Sequence, residues 1–311
     1  MQLPRIIFMG TPDFAVPSLK ALAVREDIDL RLVVTQPDRP AGRGKRLVAP
    51  PVKDAATDLG IPILQTDSLR HPKVKQRIFD QKPDLVVVAA FGMILGKWIL
   101  ELPTHGCVNL HASLLPKYRG ASPISAAIMA GEDTTGITLM QMDRGLDTGD
   151  MLATTEVSIE ADDTTESLTP KLADAAARLL SERLVDLLSG TITPVPQPDN
   201  ATETRQLTKD DGRIDWTTPA VQIERQIRAM WSWPRAWTSL PDSVRLQVHA
   251  ARVVDAPGLD PGEITAQDKS VFIGTGEGSL QLMRVQLPGG KPIEGHALLQ
   301  KLSSLTGHRA S

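Results

Sequence analysis

Through the first half of the chain, short apolar runs alternate with stretches whose apolar residues recur at helical spacing. The run 5-RIIFMG-10 predicts a buried strand ending at Gly10, and residues 13–24 predict a helix with Leu19 and Leu22 on one face. Residues 30–36 (LRLVVTQ) predict a second strand, and 51–60 (PVKDAATDLG) a short helix stopped by Gly60. The run 84-DLVVVAA-90 is the most apolar strand of the chain, and 107-CVNLHAS-113 follows it. Strands separated by helices imply right-handed crossovers and a largely parallel sheet. Continuous apolar runs such as 85–90 suit strands covered on both faces. In such sheets ligands bind beyond the carboxyl ends of the strands. Those ends are Gly10, Gln36, Ala90 to Gly92, and Asn109 to Ser113.

Residues 136–142 (GITLMQM) and 151–159 (MLATTEVSI) predict two further strands. A long helix then carries Leu172, Leu179, Leu180, Leu184 and Leu187, and Asp163 with Glu166 has the spacing of a capping box. Pro170 leaves two readings: a helix starting there with Thr169 as its cap, or a helix kinked at the proline. Pro194, Pro196 and Pro198 bias the segment 190–206 to an extended, semi-rigid linker. Beyond it the pattern changes. Four of the five tryptophans lie there, at Trp216, Trp231, Trp233 and Trp237. After one helix near 218–230, short runs punctuated by turns predict a small antiparallel barrel.

Composition narrows this picture. A chain of 311 residues suggests two domains, and 41% hydrophobic with 23% charged residues is an ordinary globular balance. A net charge of −3 gives no global basic field, so a polyanion must be met by a local patch. The single cysteine, Cys107, excludes an intramolecular disulfide, and no cysteine cluster exists for a structural zinc. The opening run MQLPRIIFMGTP is too short for a signal-peptide core and lacks transit-peptide composition. No window approaches the length of apolar sequence that a membrane span needs. These features fit a reducing cytoplasm.

The candidate chemistry lies in 109-NLHASLLPKYRG-120. Residues two apart on a strand share a face, so Asn109 and His111 project together at a strand end. Two hydrogen-bond donors aimed at one point suit a tetrahedral oxyanion. The Gly-punctuated loop 143-DRGLDTGDM-151 places Asp147 between Gly145 and Gly149. A carboxylate beside His111 favours the imidazolium and can help move the proton released by an attacking amine. Spacing alone leaves the blander alternatives open: a satisfied polar pair, an aspartate serving only its turn, and a plain surface turn at Arg119 and Gly120. Cys107, on the same face by alternation, reads as a small packed hydrophobe rather than a nucleophile.

The whole stretch 109–152 resembles the core signature of the folate-dependent formyltransferases, with SLLPKYRG (113–120) its most specific part. The resemblance implies a Rossmann-like α/β domain, mostly parallel with helices on both faces. It implies transfer of a formyl group from 10-formyltetrahydrofolate to an amine, without a metal. Asn109, His111 and Asp147 fall on the three catalytic positions. The pteridine would lie largely on backbone groups near 89–93 and 140–144. That gives Phe91, Gly92, Met142 and Asp143 as pocket residues, with Ser113, Leu114, Leu115 and Pro116 at the pocket mouth.

The acceptor is decided by another segment. The loop 35-TQPDRPAGRGKRLVAPPVK-53 holds Arg39, Arg43, Lys45, Arg46 and Lys53 against the single acid Asp38. It leaves a strand at the expected active-site end, Gly42 and Gly44 make it pliable, and arginine suits phosphate and bases. TQPDRPAGRGK resembles the insertion of the formyltransferases that act on methionyl-tRNA. In that group it enters the acceptor stem of initiator tRNA, and Arg43 matches its central arginine. The segments 211–216 and 233–238 fit the same group. The resemblance implies domains at 1–189 (catalytic), 190–208 (linker) and 209–311 (an OB-like barrel holding tRNA). It also implies a cytoplasmic monomer that meets no membrane. Residues 201–311 carry 13 basic and 12 acidic side chains, so any tRNA surface there must be a one-sided stripe. The chain departs from the pattern at Thr204, Arg205 and Gln206. Gln206 stands where a basic linker residue is expected, with Arg205 a possible substitute, and Trp231-Ser232-Trp233-Pro234 reads as a packing variant.

Three alternatives compete. A formyltransferase for amino-sugars or glycinamide ribonucleotide shares the core, but the basic insertion and the second domain argue against it. A tRNA-binding protein without catalysis is opposed by the intact Asn109, His111 and Asp147. A nucleotide-dependent dehydrogenase is opposed by GTPDFA, which lacks the Gly-x-Gly-x-x-Gly spacing.

Overall fold

The computed structural model describes residues 2–41, 44, 46–240, 243–255, 258–301 and 309–310. The chain divides into two units. The first comprises residues 1–123, 134–158 and 169–204, the second 124–133, 159–168 and 205–311.

The first unit holds strands β1 (Arg5–Gly10), β2 (Asp29–Thr35), β3 (Arg39–Ala41), β4 (Arg46–Val48), β5 (Ile63–Gln65), β6 (Leu85–Ala89), β7 (Cys107–His111), β8 (Arg119–Gly120), β9 (Thr134–Gln141), β10 (Met151–Ser158) and β11 (Glu203–Thr204). Seven of these form one sheet in the order β10-β9-β7-β6-β1-β2-β5. The pairs β1–β2, β1–β6, β2–β5 and β6–β7 are parallel, and β9 and β10 continue the sheet antiparallel. The sheet is therefore parallel at its centre, as the alternation of runs predicts, with an antiparallel edge. Burial explains the two kinds of sequence. Every residue of β6 is buried, so its run is unbroken Leu-Val-Val-Val-Ala, whereas β10 alternates half-buried and exposed positions along its second half. The strand at 63–65 has no counterpart in the pattern analysis, because three residues behind Pro62 carry too little periodicity to register.

Helices α1 (Val16–Ala23), α2 (Pro51–Asp58), α3 (Pro72–Phe79), α4 (Lys97–Leu100), α5 (Pro123–Ala130) and α6 (Thr165–Ser189) follow. The helix expected at 13–24 divides into a 3₁₀ turn at Asp13–Ala15 and α1, which starts with a proline in its first turn. Val74 and Ile78 of α3 and Ile99 of α4 pack with Ile7, Met9, Val34 and Val88 over one face of the sheet.

One expectation is corrected at α6 and one open choice is decided. The reciprocal cap is formed by Thr164 and Ser167, each backbone amide donating to the other's hydroxyl at 3.0 and 3.2 Å, not by Asp163 and Glu166. Asp163 instead accepts from the Ser167 hydroxyl at 2.7 Å and from the Glu160 amide at 2.9 Å. The helix starts at Thr165 and runs through Pro170 rather than beginning there.

Besides α5 and the start of α6, the second unit carries α7 (Ala220–Ala229), α8 (Ala297–Lys301) and strands β12 (Ala236–Ser239), β13 (Arg245–Val254), β14 (Ile264–Gln267), β15 (Ser270–Gly274), β16 (Ser279–Gln286) and β17 (Ile293–Glu294). They form an antiparallel sheet in the order β12-β13-β16-β15-β14, with β17 also on β16. The register shifts around Ala250, which bends the long strand β13. Among the described residues no ladder joins β12 to β14. Ile223 and Ile227 of α7 close the apolar face with Val248, Ile273 and Leu282.

Arg5 secures the lower end of the parallel sheet. Its amide and guanidinium donate to Asp84 at 2.8, 3.0 and 2.9 Å. The Arg5 guanidinium holds the Asp84 carboxyl below the usual carboxylate range. A carboxyl depressed in the folded state contributes stability above its unfolded pKa, about 3.9, and loses it as pH falls through the folded value. The urea midpoint of the wild type is therefore expected to fall more steeply below about pH 4 than that of Asp84→Asn, which is less stable at neutral pH.

Candidate active site

The face of β7 that carries alternate residues changes character along the strand. Cys107 is fully buried in the apolar cluster with Ile99 and Phe91, Asn109 is half-buried, and His111 is 5% exposed at the carboxyl end. Neighbouring strands set this register: Asn109 lies between Val88 of β6 and Met140 of β9, and His111 lies opposite Thr138. Among the described residues the Asn109 side chain has no hydrogen-bond partner.

The His111 ring is held from two sides. Its Nε2 lies 2.9 Å from the Tyr118 carbonyl, and because a carbonyl only accepts, Nε2 carries the proton. Its Nδ1 lies 3.6 Å from Asp147 Oδ2, close enough for charge attraction but longer than a hydrogen bond. That gap leaves Nδ1 without a hydrogen bond, so it can donate to a substrate oxygen only when the ring carries a second proton. The same Oδ2 accepts from the Gly120 amide at 2.8 Å. Asp147 itself takes the left-handed region at φ 52, in the loop between β9 and β10. The structure thus brings His111 and Asp147 together, with Asn109 one alternation back on the same face of β7.

Arg119 and Gly120 are more than a surface turn. They form β8, which pairs in parallel with β11 at the end of the segment expected to be a linker. The Tyr118 amide donates to Thr202 Oγ1 at 2.8 Å, the Arg119 amide to the Thr202 carbonyl at 2.8 Å, and Thr204 Oγ1 to the Arg119 carbonyl at 3.0 Å. Gly120 is required here: its φ is +101, and a Cβ would stand 2.2 Å from the Thr204 carbonyl oxygen. Earlier in the same segment, Val195 exchanges backbone hydrogen bonds with Met151, and Gln197 bonds to Arg119, Asp147 and Gly149. Sequence reasoning missed Gln197, Thr202 and Thr204. The signal available was a lone amide between two prolines and two threonines on alternate positions.

The expected folate-pocket residues fall into three settings. Phe91 is buried in the apolar cluster, with Met142 packed against that cluster. The Phe91 carbonyl accepts from Thr11 Oγ1 at 3.0 Å and Gln36 Nε2 at 2.9 Å, which ties together the carboxyl ends of β1, β2 and β6. Gly92 follows at φ +75, and a Cβ there would meet Gln36 Nε2 at 2.6 Å. Ala90 and Gly92 both take positive φ and are exposed, so this strand end presents backbone rather than side chains. Ser113, Leu115 and Pro116 are buried and Leu114 is half-buried. Ser113 Oγ donates to the Lys117 carbonyl at 2.6 Å, and the Leu115 amide donates to Thr138 Oγ1 at 3.0 Å, so this turn is fixed from within. Asp143 accepts from the Gly145 amide at 3.0 Å and from the Thr148 hydroxyl at 2.8 Å, and so shapes the loop that carries Asp147.

The basic segment 35–53 contains a hairpin, β3 on β4, where the sequence suggests only a pliable loop. Arg43 and Lys45 lie outside the described residues, while Arg39 and Arg46 are exposed on the two strands. Arg39 Nη2 donates to Gln36 Oε1 at 2.7 Å. Lys53 is paired with Asp38 at 2.7 Å and is the cation of this segment already satisfied by its acid. In the second unit Arg245 stacks over Trp237 at 4.1 Å, and Trp233 is 53% exposed. Arg205 is engaged by Asp211, whose carboxyl it holds well below the usual range, so its charge is already spoken for.

Among the described residues no group of three or more His, Cys, Asp and Glu is arranged to hold a metal, and no helix is long and apolar enough to cross a membrane.

Comparison with known proteins follows the same division. The family model described as "Formyl transferase" matches residues 4–184, and "Formyl transferase, C-terminal domain" matches residues 206–303. The methionyl-tRNA formyltransferase of Myxococcus xanthus is 46% identical, covering 99% of this chain and 96% of that one. The protein of the same name from Geobacter metallireducens is 47% identical over 94% of each. Among solved structures, the N-formyltransferase of Helicobacter canadensis in complex with folinic acid and dTDP-3-aminofucose aligns with a TM-score of 0.67 at 17% identity, covering 90% of this chain and 99% of that one. HypX from Aquifex aeolicus in complex with tetrahydrofolic acid aligns with a TM-score of 0.63 at 18% identity. That alignment covers 98% of this chain, which spans about half of HypX (49%). These two likenesses are of fold.

Burial pushes the Cys107 thiol up to about 12, and its Sγ lies 3.3 Å from the Ile99 carbonyl. A thiol reagent such as dithionitrobenzoate is expected to leave Cys107 unmodified in the folded protein and to titrate one thiol after denaturation. Rapid modification of the folded chain would contradict this packing.

Proposed function

The chain belongs to the methionyl-tRNA formyltransferase family, and we propose that it passes the formyl group of 10-formyltetrahydrofolate to the amino group of methionyl-initiator-tRNA. The observation that carries this reading is the approach of the His111 ring to the Asp147 carboxylate, with the uncommitted Asn109 amide on the same strand face. In this reading Asn109 and the His111 Nδ1–H donate to the formyl oxygen as negative charge develops on it, where preorganised donors are worth most. Asp147 stands beside the ring and takes part in moving the proton lost by the attacking amine. The donor's flat ring fits the backbone-lined strand end at 90–92, between the Phe91 cluster and the turn 113–116. Phe91, Gly92, Ser113, Leu114, Leu115, Pro116, Met142 and Asp143 form or support that pocket.

We further assign residues 1–189 to the chemistry, 190–208 to the connection and 209–311 to holding tRNA, in a cytoplasmic monomer. Arg39, Arg43, Lys45 and Arg46 meet the acceptor stem. The exposed Trp233 and the Arg245–Trp237 stack are of the kind that packs against nucleic acid. The pairing of Arg205 with Asp211 gives the 205–206 segment no free charge for this task.

The test is formyl transfer to charged initiator methionyl-tRNA, charged elongator methionyl-tRNA and free methionine. Product is expected on the initiator alone and is lost by about a hundredfold or more in His111→Ala, the scale of removing an oxyanion donor. Product on a free amino-sugar or ribonucleotide amine would replace this reading with a small-amine formyltransferase. Arg43→Ala is expected to raise the KM for tRNA at least fivefold with the formyl-donor KM unchanged, and KM for tRNA should rise with salt as phosphate contacts are lost. An unchanged tRNA KM in that variant would remove the loop from the acceptor site.

A further inference from the structure

We infer that Gln197, in the proline-rich segment after α6, is a positioning residue for the site: it clamps the two loops that set the His111–Asp147 arrangement. The inference rests on the functional reading above for what the site does, but the clamp itself stands on geometry. Gln197 Oε1 accepts from Arg119 Nε at 2.9 Å and from Arg119 Nη2 at 2.8 Å. Its Nε2 donates to the Asp147 carbonyl at 2.8 Å and to the Gly149 carbonyl at 2.7 Å. A carboxamide has two acceptor and two donor positions, and all four are used. The orientation of the amide is forced, since a guanidinium only donates and a carbonyl only accepts.

No other side chain of this length satisfies both sides. Glutamate would turn a carboxylate on two carbonyl oxygens, lysine would offer nothing to Arg119, and methionine would fill the space without either bond. The setting is built for one residue. Across 191–200 every position is exposed except Ile192 and Gln197. Pro196 and Pro198 flank the glutamine, and the proline that follows confines its backbone to extended conformations.

What the clamp joins matters for the chemistry. One jaw is the strand Arg119–Gly120, next to the Tyr118 carbonyl that receives His111 Nε2 and including the Gly120 amide that donates to the Asp147 carboxylate. The other jaw is the backbone of Asp147 itself, a non-glycine residue at φ 52 that needs surrounding bonds to stay there. Through Arg119 and the 147–149 carbonyls, Gln197 fixes how far the Asp147 carboxylate stands from the Gly120 amide and the His111 ring.

Two variants test this in the full-length protein. Gln197→Met keeps the volume and removes all four bonds. Gln197→Glu keeps the bond to Arg119 and opposes the two carbonyls. Hydrogen exchange of the Gly120 amide is read first, because it reports the jaws whatever the acceptor substrate is. Exchange at Gly120 is expected to quicken at least tenfold in both variants, with the melting temperature within a few degrees of the wild type. In formyl transfer, kcat is expected to fall at least tenfold while KM for methionyl-tRNA and for the formyl donor stays within threefold. A residue with a merely structural role would lower the melting temperature and move KM and kcat together. Unchanged Gly120 exchange overturns the clamp, and loosened exchange with kcat within twofold of wild type overturns the positioning role. A wild type that makes no product on methionyl-tRNA refutes the functional reading and leaves the exchange result to decide the clamp.

Discussion

A single backbone hydrogen bond, from the Gly120 amide to the Asp147 carboxylate, joins the segments on which the site depends. The histidine ends strand β7 while the carboxylate comes from the loop after β9, and no regular element spans them both. The sheet fixes only β7, and with it Asn109 and His111. The loop after β7 must return over the end of its own strand to offer the Tyr118 carbonyl to the ring, and the loop after β9 must present Asp147 from the other side. A side-chain donor in place of the Gly120 amide would add rotatable bonds to this bridge. A backbone donor is as rigid as the strand that carries it, and β8 is made rigid by pairing with β11.

This economy has an electrostatic counterpart. His111 is nearly excluded from solvent, and Asp147 is only modestly exposed, so their attraction is screened less than that of a surface pair. The strand face beneath them carries Asn109 and then becomes apolar at Cys107. The Asp147 carboxylate accepts one hydrogen bond, from the Gly120 amide, with the His111 ring beyond hydrogen-bond distance, and Gln197 reaches only its main-chain carbonyl. The charged group therefore keeps lone pairs open toward the space in front of β7, where chemistry requires them.

Much of this is legible in the sequence. The runs at 5–10, 84–90 and 107–113 marked the parallel strands because fully buried strands need no polar alternation. Their carboxyl ends pointed to Ala90, Gly92, Asn109 and His111. Local chemistry was less legible: the cap of α6 moved by one residue to Thr164 and Ser167, since several adjacent Asp, Thr and Ser side chains compete for the same amides. Pro170 gave no clue to where the helix begins. Least legible were the bonds made by Gln197, Thr202 and Thr204. A proline-rich stretch has no period that reveals its partner, and the partners lie 48 to 85 positions away in sequence. Contacts at that range are invisible to any argument from neighbours along the chain.

The distance of those partners bears on the order in which the protein matures. The parallel sheet has all its strands by Ser158, yet β8 gains its pairing strand only when Glu203–Thr204 has left the ribosome. Closing so long a loop costs entropy that must be met by contacts already made. A nascent chain that stops before residue 197 has its scaffold complete and its reactive pair unsecured. The site is thus finished by the last stretch of the first unit to be synthesised, so that the scaffold precedes the chemistry.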